Sequence, residues 1–203
     1  MSGGHHQVVA VRHGETEWSA SGRHTGRTDV PLTDNGRHQA ALVNARLVGV
    51  EWALVLTSPL QRAVETCRLA GLGAQAQPDP DLEEWDYGAY EGLTTADIHA
   101  ERPDWWLFAD GCPGGEQPAD VGARVDRVLE RCRQAGGDVA LFAHGHVLRV
   151  LGARWAGAPP RFGGSLLLAT ASVSVLGWER EVPALSRWND TAHLDPTLAL
   201  RAS

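Results

Sequence analysis

Lysine is absent from the sequence. All eighteen basic side chains are arginine, so a Schiff-base lysine, a P-loop lysine and a lysine general base are excluded, and any anion must be held by arginine, histidine or backbone N–H. Cysteine is scarce. Cys67, Cys112 and Cys132 are odd in number and have no close pair, which fits free buried thiols and argues against a disulfide framework or a zinc site. No apolar run approaches the roughly 20 residues of a membrane-spanning helix, so no membrane partner is expected. Basic residues are outnumbered, with a net charge of −7, which argues against nucleic acid, whose binding depends on neutralising phosphates. The N-terminal MSGGHHQVVAV lacks a basic region ahead of a long apolar segment and lacks a cleavage site, so the chain is read as cytoplasmic. What remains is 203 residues with ordinary proportions, 43% hydrophobic and 21% charged, which is enough for one globular domain over residues 1–203.

Gln7 to Val11 reads as a buried strand and is followed by a polar loop from Gly14 to about Pro31. LTDNGRHQAALVNARLVG offers Thr33 or Asp34 as N-cap and Gly49 as terminator, predicting a helix. ALVLTSP, Ala53 to Pro59, predicts a second strand, and LQRAVETCRLAG a helix closed by Gly71. From Asp86 to Ala123 the composition shifts to Trp, Pro, Gly and acids, with a short helix near Thr94 to Glu101, as expected for an inserted lid over about residues 86–120. A helix around Asp120 to Gln134, a strand from Asp138 to His144 and a helix from His146 to Trp155 follow. SLLLATASVSVLGWE reads as strand and the tail after Asp190 as loop. The alternation is that of an α/β fold.

Three of the strands end in polar residues just before a loop or helix: Arg12-His13-Gly14, Ser58 to Arg62, and His144-Gly145-His146. Ligands bind at the carboxyl ends of strands in α/β sheets, where helix N-termini also point their N–H groups. Two arginines and two histidines converging there suit a phosphoryl group. Arginine grips its oxygens bidentately, and a neutral imidazole can attack phosphorus. A proton donor for the leaving oxygen is available in LEEWDYGAYEG, where an extended chain lets only one of Glu83 and Glu84 face the site. His144 and His146 are two residues apart and cannot share a metal on a strand or a helix, so no metal is expected. His5 and His6 are expected at a loose surface, and Trp85, Trp105 and Trp106 in packing. Glu15 and Glu17 are expected to pair with nearby arginines, and Arg149 and Arg154 to be solvated or paired.

Arg12-His13-Gly14-Glu15-Thr16 with Trp18, Thr25-Gly26, LTDNG, Ser58-Pro59 with Arg62, Glu84 four residues before Gly88, Pro113-Gly114-Gly115-Glu116 and His144-Gly145-His146 occur in this order over nearly the whole chain. The set resembles the histidine phosphatase superfamily, in its phosphoglycerate-mutase-like branch. The resemblance implies a three-layer αβα sandwich with a mostly parallel central sheet and a short lid. It also implies a cofactor-free and metal-independent phosphatase that acts on small phosphate monoesters through a phosphohistidine, and it leaves a homodimer open. By the same resemblance His13 is the nucleophile, Arg12, Arg62 and a protonated His144 hold the phosphate, and Glu84 is the proton donor. Ser19, Thr25, Gly26, Tyr87, Gly145 and His146 fall where relatives touch substrate. Ser19 departs from the family pattern, which has Asn there, and a weaker phosphate contact is expected.

Two rival readings are a cofactor-dependent phosphoglycerate mutase and a phospholigand-binding module without turnover. Against the mutase, eight acids between Asp86 and Ala123 face one arginine, Arg102, and such a wall is expected to repel a second anionic group.

Overall fold

The computed structural model describes residues 6–195, and no helix among them is long and apolar enough to cross a membrane. In chain order the elements are β1 (Val8–Arg12), α1 (Glu17–Ala20), α2 (Asp34–Leu42), α3 (Asn44–Leu47), β2 (Leu54–Thr57), α4 (Gln61–Leu69) and β3 (Ala76–Pro78). They continue with α5 (Thr95–Glu101), α6 (Leu107–Asp110), α7 (Pro118–Gln134), β4 (Val139–Ala143), α8 (Gly145–Trp155), β5 (Val173–Glu179) and β6 (Val182–Asp190). The six strands form one sheet in the order β3-β2-β4-β1-β5-β6. The first four are mutually parallel, and β5 runs antiparallel to both β1 and β6.

Side chains alternate across the strands and so divide the core in two. Val8, Ala10, Val139 and Leu141 pack with α7 and α8 on one face. Val11, Ala140 and Phe142 pack with Val43, Leu47 and Cys67, which face them from the other side. β4 is buried at every position, as a central parallel strand covered by helices on both sides must be. The segment between β3 and α7 contributes Trp85, Tyr87, Ile98, Trp105, Leu107 and Phe108 to the first of these clusters, so the inserted region shares the main core.

Several sequence-based expectations need correction. The helix expected from Thr33 to Gly49 is capped by Thr33, whose side chain accepts from the Gly36 N–H, but it breaks at Val43 into α2 and α3. The strand expected from Ser165 begins only at Val173, after a turn in which Ala171 adopts φ 53°. β3 and β6 escape the sequence reading because both contain proline and neither alternates cleanly, although Leu185 and Trp188 of β6 pack against the core. One is AQP and the other VPALSRWND, partly exposed at the sheet edge. His6 is not loose, since its Nε2 meets the Cys132 carbonyl at 2.9 Å and its own carbonyl accepts from Trp178. His5 lies outside the described residues. Glu15 pairs with no arginine but accepts from Thr33 Oγ1 and Asn35 Nδ2. The three cysteines are free and buried, with thiol pKa values pushed up to about 12, first by desolvation. Trp85 and Trp105 are packed in the core, whereas Trp106 is 41% exposed beneath the Arg161 guanidinium.

Candidate active site

Insertion of β4 between β2 and β1 sets three strand ends side by side. Arg12 is in register with Ala143, and Thr57 with Phe142, so the residues that follow, His13, His144 and Ser58, come together above the sheet. The His13 and His144 rings lie 5.2 Å apart. Above them opens a cleft of about 250 Å³ lined on its floor by Arg12, His13, Glu84 and Gly145.

The protonation of His13 follows from its contacts. Its Nδ1 lies 2.7 Å from the Gly14 carbonyl, which can only accept, so Nδ1 carries the proton and Nε2 keeps its lone pair. Burial, then Arg12 and Arg62, push its pKa well below the ordinary histidine value of 6.5. Arg12 donates from Nη1 to the Leu168 carbonyl at 2.5 Å, while its Nε is buried without a hydrogen-bond partner, an arrangement that suits an anion in the cleft. Gly145 lets the chain pass close to that guanidinium: a Cβ there would stand 3.3 Å from Arg12 Cζ. Gly14 makes room for the Gly36 carbonyl, which a Cβ there would meet at 2.2 Å.

Arg62 and His144 are fully buried behind this floor. Arg62 donates to the carbonyls of Thr25, Gly26 and Thr28, and its Nε–H donates to His144 Nδ1 at 3.1 Å. His144 must therefore be neutral with its proton on Nε2, which meets Ser58 Oγ at 2.7 Å. This corrects the protonated His144 expected from sequence. Desolvation, Arg62 and His13 all press its pKa well below 6.5.

Glu84 reaches the cleft from the loop after β3. Its Oε1 accepts from the N–H groups of Trp85 and Val147, and its Oε2 from that of His146, so the first turn of α8 holds the carboxylate and Oε2 retains a free lone pair. Glu83 turns elsewhere, its carbonyl accepting from Arg124. Tyr87 OH lies 2.5 Å from His146 Nδ1, and both side chains line the cleft.

Ser19, Thr25 and Gly145 also line the cleft, but Gly26 does not, since its carbonyl holds Arg62 and its N–H donates to Glu91. The Ser19 hydroxyl donates to the Thr16 carbonyl inside a capping box, so its one donor hydrogen is already engaged. Arg23, His24, Thr95, Arg149 and Leu168 line the cleft too and were not among the residues expected there. Arg149, expected to be solvated or paired, lies over Phe108 at 4.5 Å.

The expected acidic wall is not there. Asp86 pairs with Arg27, Glu116 with Arg124, and Glu91 accepts from Gly26 and Thr28, while Asp97, Asp110 and Asp120 accept from backbone N–H groups at helix starts. None of the eight acids lines the cleft, and among the described residues Glu84 is the one carboxylate that does.

Three buried imidazoles carry a consequence for stability. His13, His144 and His146 all have pKa values pressed well below 6.5, chiefly by desolvation. Below about 6.5 the unfolded chain binds protons that the folded chain refuses, so stability falls as pH drops from there toward the folded pKa values, by up to about 1.4 kcal/mol per pH unit for each histidine. Urea denaturation at neutral and mildly acidic pH should show this loss. A flat profile across that window would contradict the assignment of neutral histidines.

Comparison with known proteins agrees with this geometry. The family model described as Histidine phosphatase superfamily (branch 1) matches residues 8–191. The acid phosphatase of Mycobacterium tuberculosis is 40% identical over 198 residues, covering 96% of this chain and 97% of that protein. The sedoheptulose 1,7-bisphosphatase of Saccharomyces cerevisiae is 36% identical over 184 residues, covering 74% and 68%. The solved structure of the open reading frame Rv3214 of Mycobacterium tuberculosis superposes with a TM-score of 0.87 at 40% identity, covering 91% of this chain and 97% of that one. The chain belongs to the histidine phosphatase superfamily, branch 1, and is a phosphomonoesterase of that family.

Proposed function

We propose that the protein hydrolyses small phosphate monoesters in two steps, with His13 Nε2 as the nucleophile and Glu84 as the proton carrier. One observation supports this most: the Nδ1–H of His13 is tied to the Gly14 carbonyl, which leaves the Nε2 lone pair in a cleft shared with Arg12 and Glu84. In the first step Nε2 forms a bond to phosphorus, the ester P–O bond breaks, and the leaving oxygen takes a proton from Glu84. In the second, water attacks the phosphohistidine, its proton passes to the Glu84 carboxylate, and the P–N bond electrons return to Nε2 as phosphate departs. Arg12 supplies positive charge at the floor for the migrating phosphoryl group, Arg62 adds to it from behind, and neutral His144 backs the site with its Nε2–H given to Ser58. Tyr87, Thr25, Gly145 and His146 sit on the leaving-group side. Ser19 in its present conformation offers an acceptor rather than a donor, and Gly26 acts on substrate only through Arg62.

Hydrolysis in preference to mutase transfer is supported by the acid phosphatase relative and by the short span of sixty positions from Glu84 to His144. A cytoplasmic setting is supported by the three unpaired cysteines, and a small substrate by the size of the cleft. The negative net charge is unfavourable to nucleic acid.

Because the positive charge at phosphorus comes from arginine, phosphate release from a panel of monoesters should continue unchanged in EDTA. Loss of activity in chelator that a divalent ion restores would overturn this accounting. Interconversion of 2- and 3-phosphoglycerate, assayed on the same preparation, should be much slower than release. The reverse order would favour the mutase.

A further inference from the structure

Beyond the phosphoryl site the cleft continues into a recess of about 200 Å³, with which it shares His24, Thr95, His146 and Arg149. Trp105 and Phe108 back it. We infer that this recess is a subsite for a second acidic group on the leaving portion of the substrate, a carboxylate or a second phosphate, and that Arg149 is the residue that reads it. The inference rests on the proposed phosphatase site and names its substrate class.

Three observations carry it. The first is the state of the Arg149 guanidinium. Its Nε and Nη2 donate to the carbonyls of Gly163 and Gly164 at 3.0 Å, and its face covers Phe108, which fixes the plane. Those contacts occupy one edge of the fork. Among the described residues none accepts from the other edge, with Nη1, and none brings a carboxylate within ion-pair distance.

The second observation is the contrast with most of the other arginines. Away from the cleft, Arg27, Arg46, Arg124, Arg127, Arg131 and Arg154 are each paired with a carboxylate, whereas Arg102 meets the Tyr90 hydroxyl and Arg161 lies over Trp106. Arg12, on the floor of the cleft, and Arg62, buried behind it, are held instead by carbonyls and an imidazole, as is needed if an incoming anion is to balance their charge. Arg149 follows the pattern of these two. Burial lowers its pKa and outweighs the opposing pull of Glu84, and a cation so withdrawn from water gains from an anion that neutralises it.

The third observation is the charge count. Arg12, Arg23 and Arg149 line the cleft and Arg62 lies buried behind its floor, four positive charges about a cleft lined, among the described residues, by one carboxylate, Glu84, the imidazoles being neutral. A phosphate monoester dianion together with Glu84 offsets three of the four. The surplus lies on the side of the cleft away from His13, where Arg149 stands one helical turn after Gly145 on α8. His24 adds polarity there: its Nδ1 is committed to the Leu93 carbonyl at 2.9 Å, which leaves Nε2 as an acceptor for a substrate hydroxyl.

The test compares 3-phosphoglycerate, which carries a carboxylate, with glycerol 1-phosphate, which carries a neutral hydroxymethyl group in its place. The wild type should hydrolyse the acid-bearing ester with the higher kcat/KM, through a lower KM, and the advantage should shrink as salt is raised. Arg149→Met keeps an unbranched stem and removes the guanidinium with its charge. It should cost 3-phosphoglycerate about 10-fold to 100-fold more than it costs glycerol 1-phosphate, the range expected for a charge-assisted hydrogen bond. Arg149→Lys should recover part of the difference. A wild type that favours glycerol 1-phosphate overturns the inference, whether or not the variant folds. Equal losses on both esters also overturn it and make Arg149 a scaffold residue. Failure of the phosphatase reading itself would look different, since neither ester nor p-nitrophenyl phosphate would then be hydrolysed.

Discussion

Replacing His13 by alanine is expected to remove essentially all turnover while the chain still folds. The side chain is nearly buried, but its one hydrogen bond is to the carbonyl of its own neighbour, Gly14, so truncation breaks no tie between elements. What is lost is the Nε2 lone pair, for which nothing else on the floor of the cleft substitutes. Arg12 cannot be deprotonated, and His144 has Nδ1 engaged by Arg62 and Nε2 by Ser58. Steady-state assays on several esters, alongside a thermal melt, separate this from unfolding. A folded variant retaining a tenth of the wild-type rate would mean that the nucleophile is elsewhere.

Glu84→Gln is expected to divide substrates by leaving group. An alkoxide leaves poorly without a proton, whereas p-nitrophenolate leaves unaided, and general acid catalysis is worth about 10²–10⁴-fold. The variant should therefore lose that much on alkyl phosphates and far less on p-nitrophenyl phosphate. Glutamine keeps the size of the side chain and one acceptor oxygen, which can take the place of Oε1 and accept from the Trp85 and Val147 N–H groups, while its NH2 would face the His146 N–H that Oε2 accepts from, so a thermal melt accompanies the assay. Equal losses on the two substrate types, or a larger effect from Glu83→Gln, would count against the assignment. The pH profile bears on the same point. The first step needs the proton on Glu84, and His13, kept unprotonated by burial and by both arginines, stays nucleophilic as pH falls below 6.5. Activity is thus expected to be greatest on the acid side of neutrality, limited at lower pH by the stability lost through the three buried histidines.

The core of this site was legible in the sequence because the chemistry sits where strands end. Arg12 with His13, and His144 with Gly145, are contiguous in the chain. The sheet order then has only to bring β1 and β4 together, which their parallel register does. Alternation left one of Glu83 and Glu84 to face the site, the resemblance selected Glu84, and of the two only Glu84 lines the cleft. The leaving-group side was harder. Arg149 reads as one polar residue on an amphipathic helix, and only its place one turn beyond Gly145 hints that it shares a face with the site. The acids of the inserted segment misled for the opposite reason. Counted as charge they form a wall, yet Asp97 lies three residues after Thr94, and Asp120 three after Gln117, in capping boxes that turn both carboxylates toward local N–H groups. Reading the capping signal before counting charge would have left the cleft cationic. The tautomer of His144 required the structure, because it depends on Arg62 arriving from another element, α4.

The central claim, a covalent intermediate on His13, is tested most directly by rapid quench of the wild type with phosphorus-labelled substrate, followed by peptide mapping. The account predicts protein-bound label that is lost in acid, survives base and maps to the peptide containing His13. Label that survives acid, or that maps to a serine such as Ser58, would contradict it.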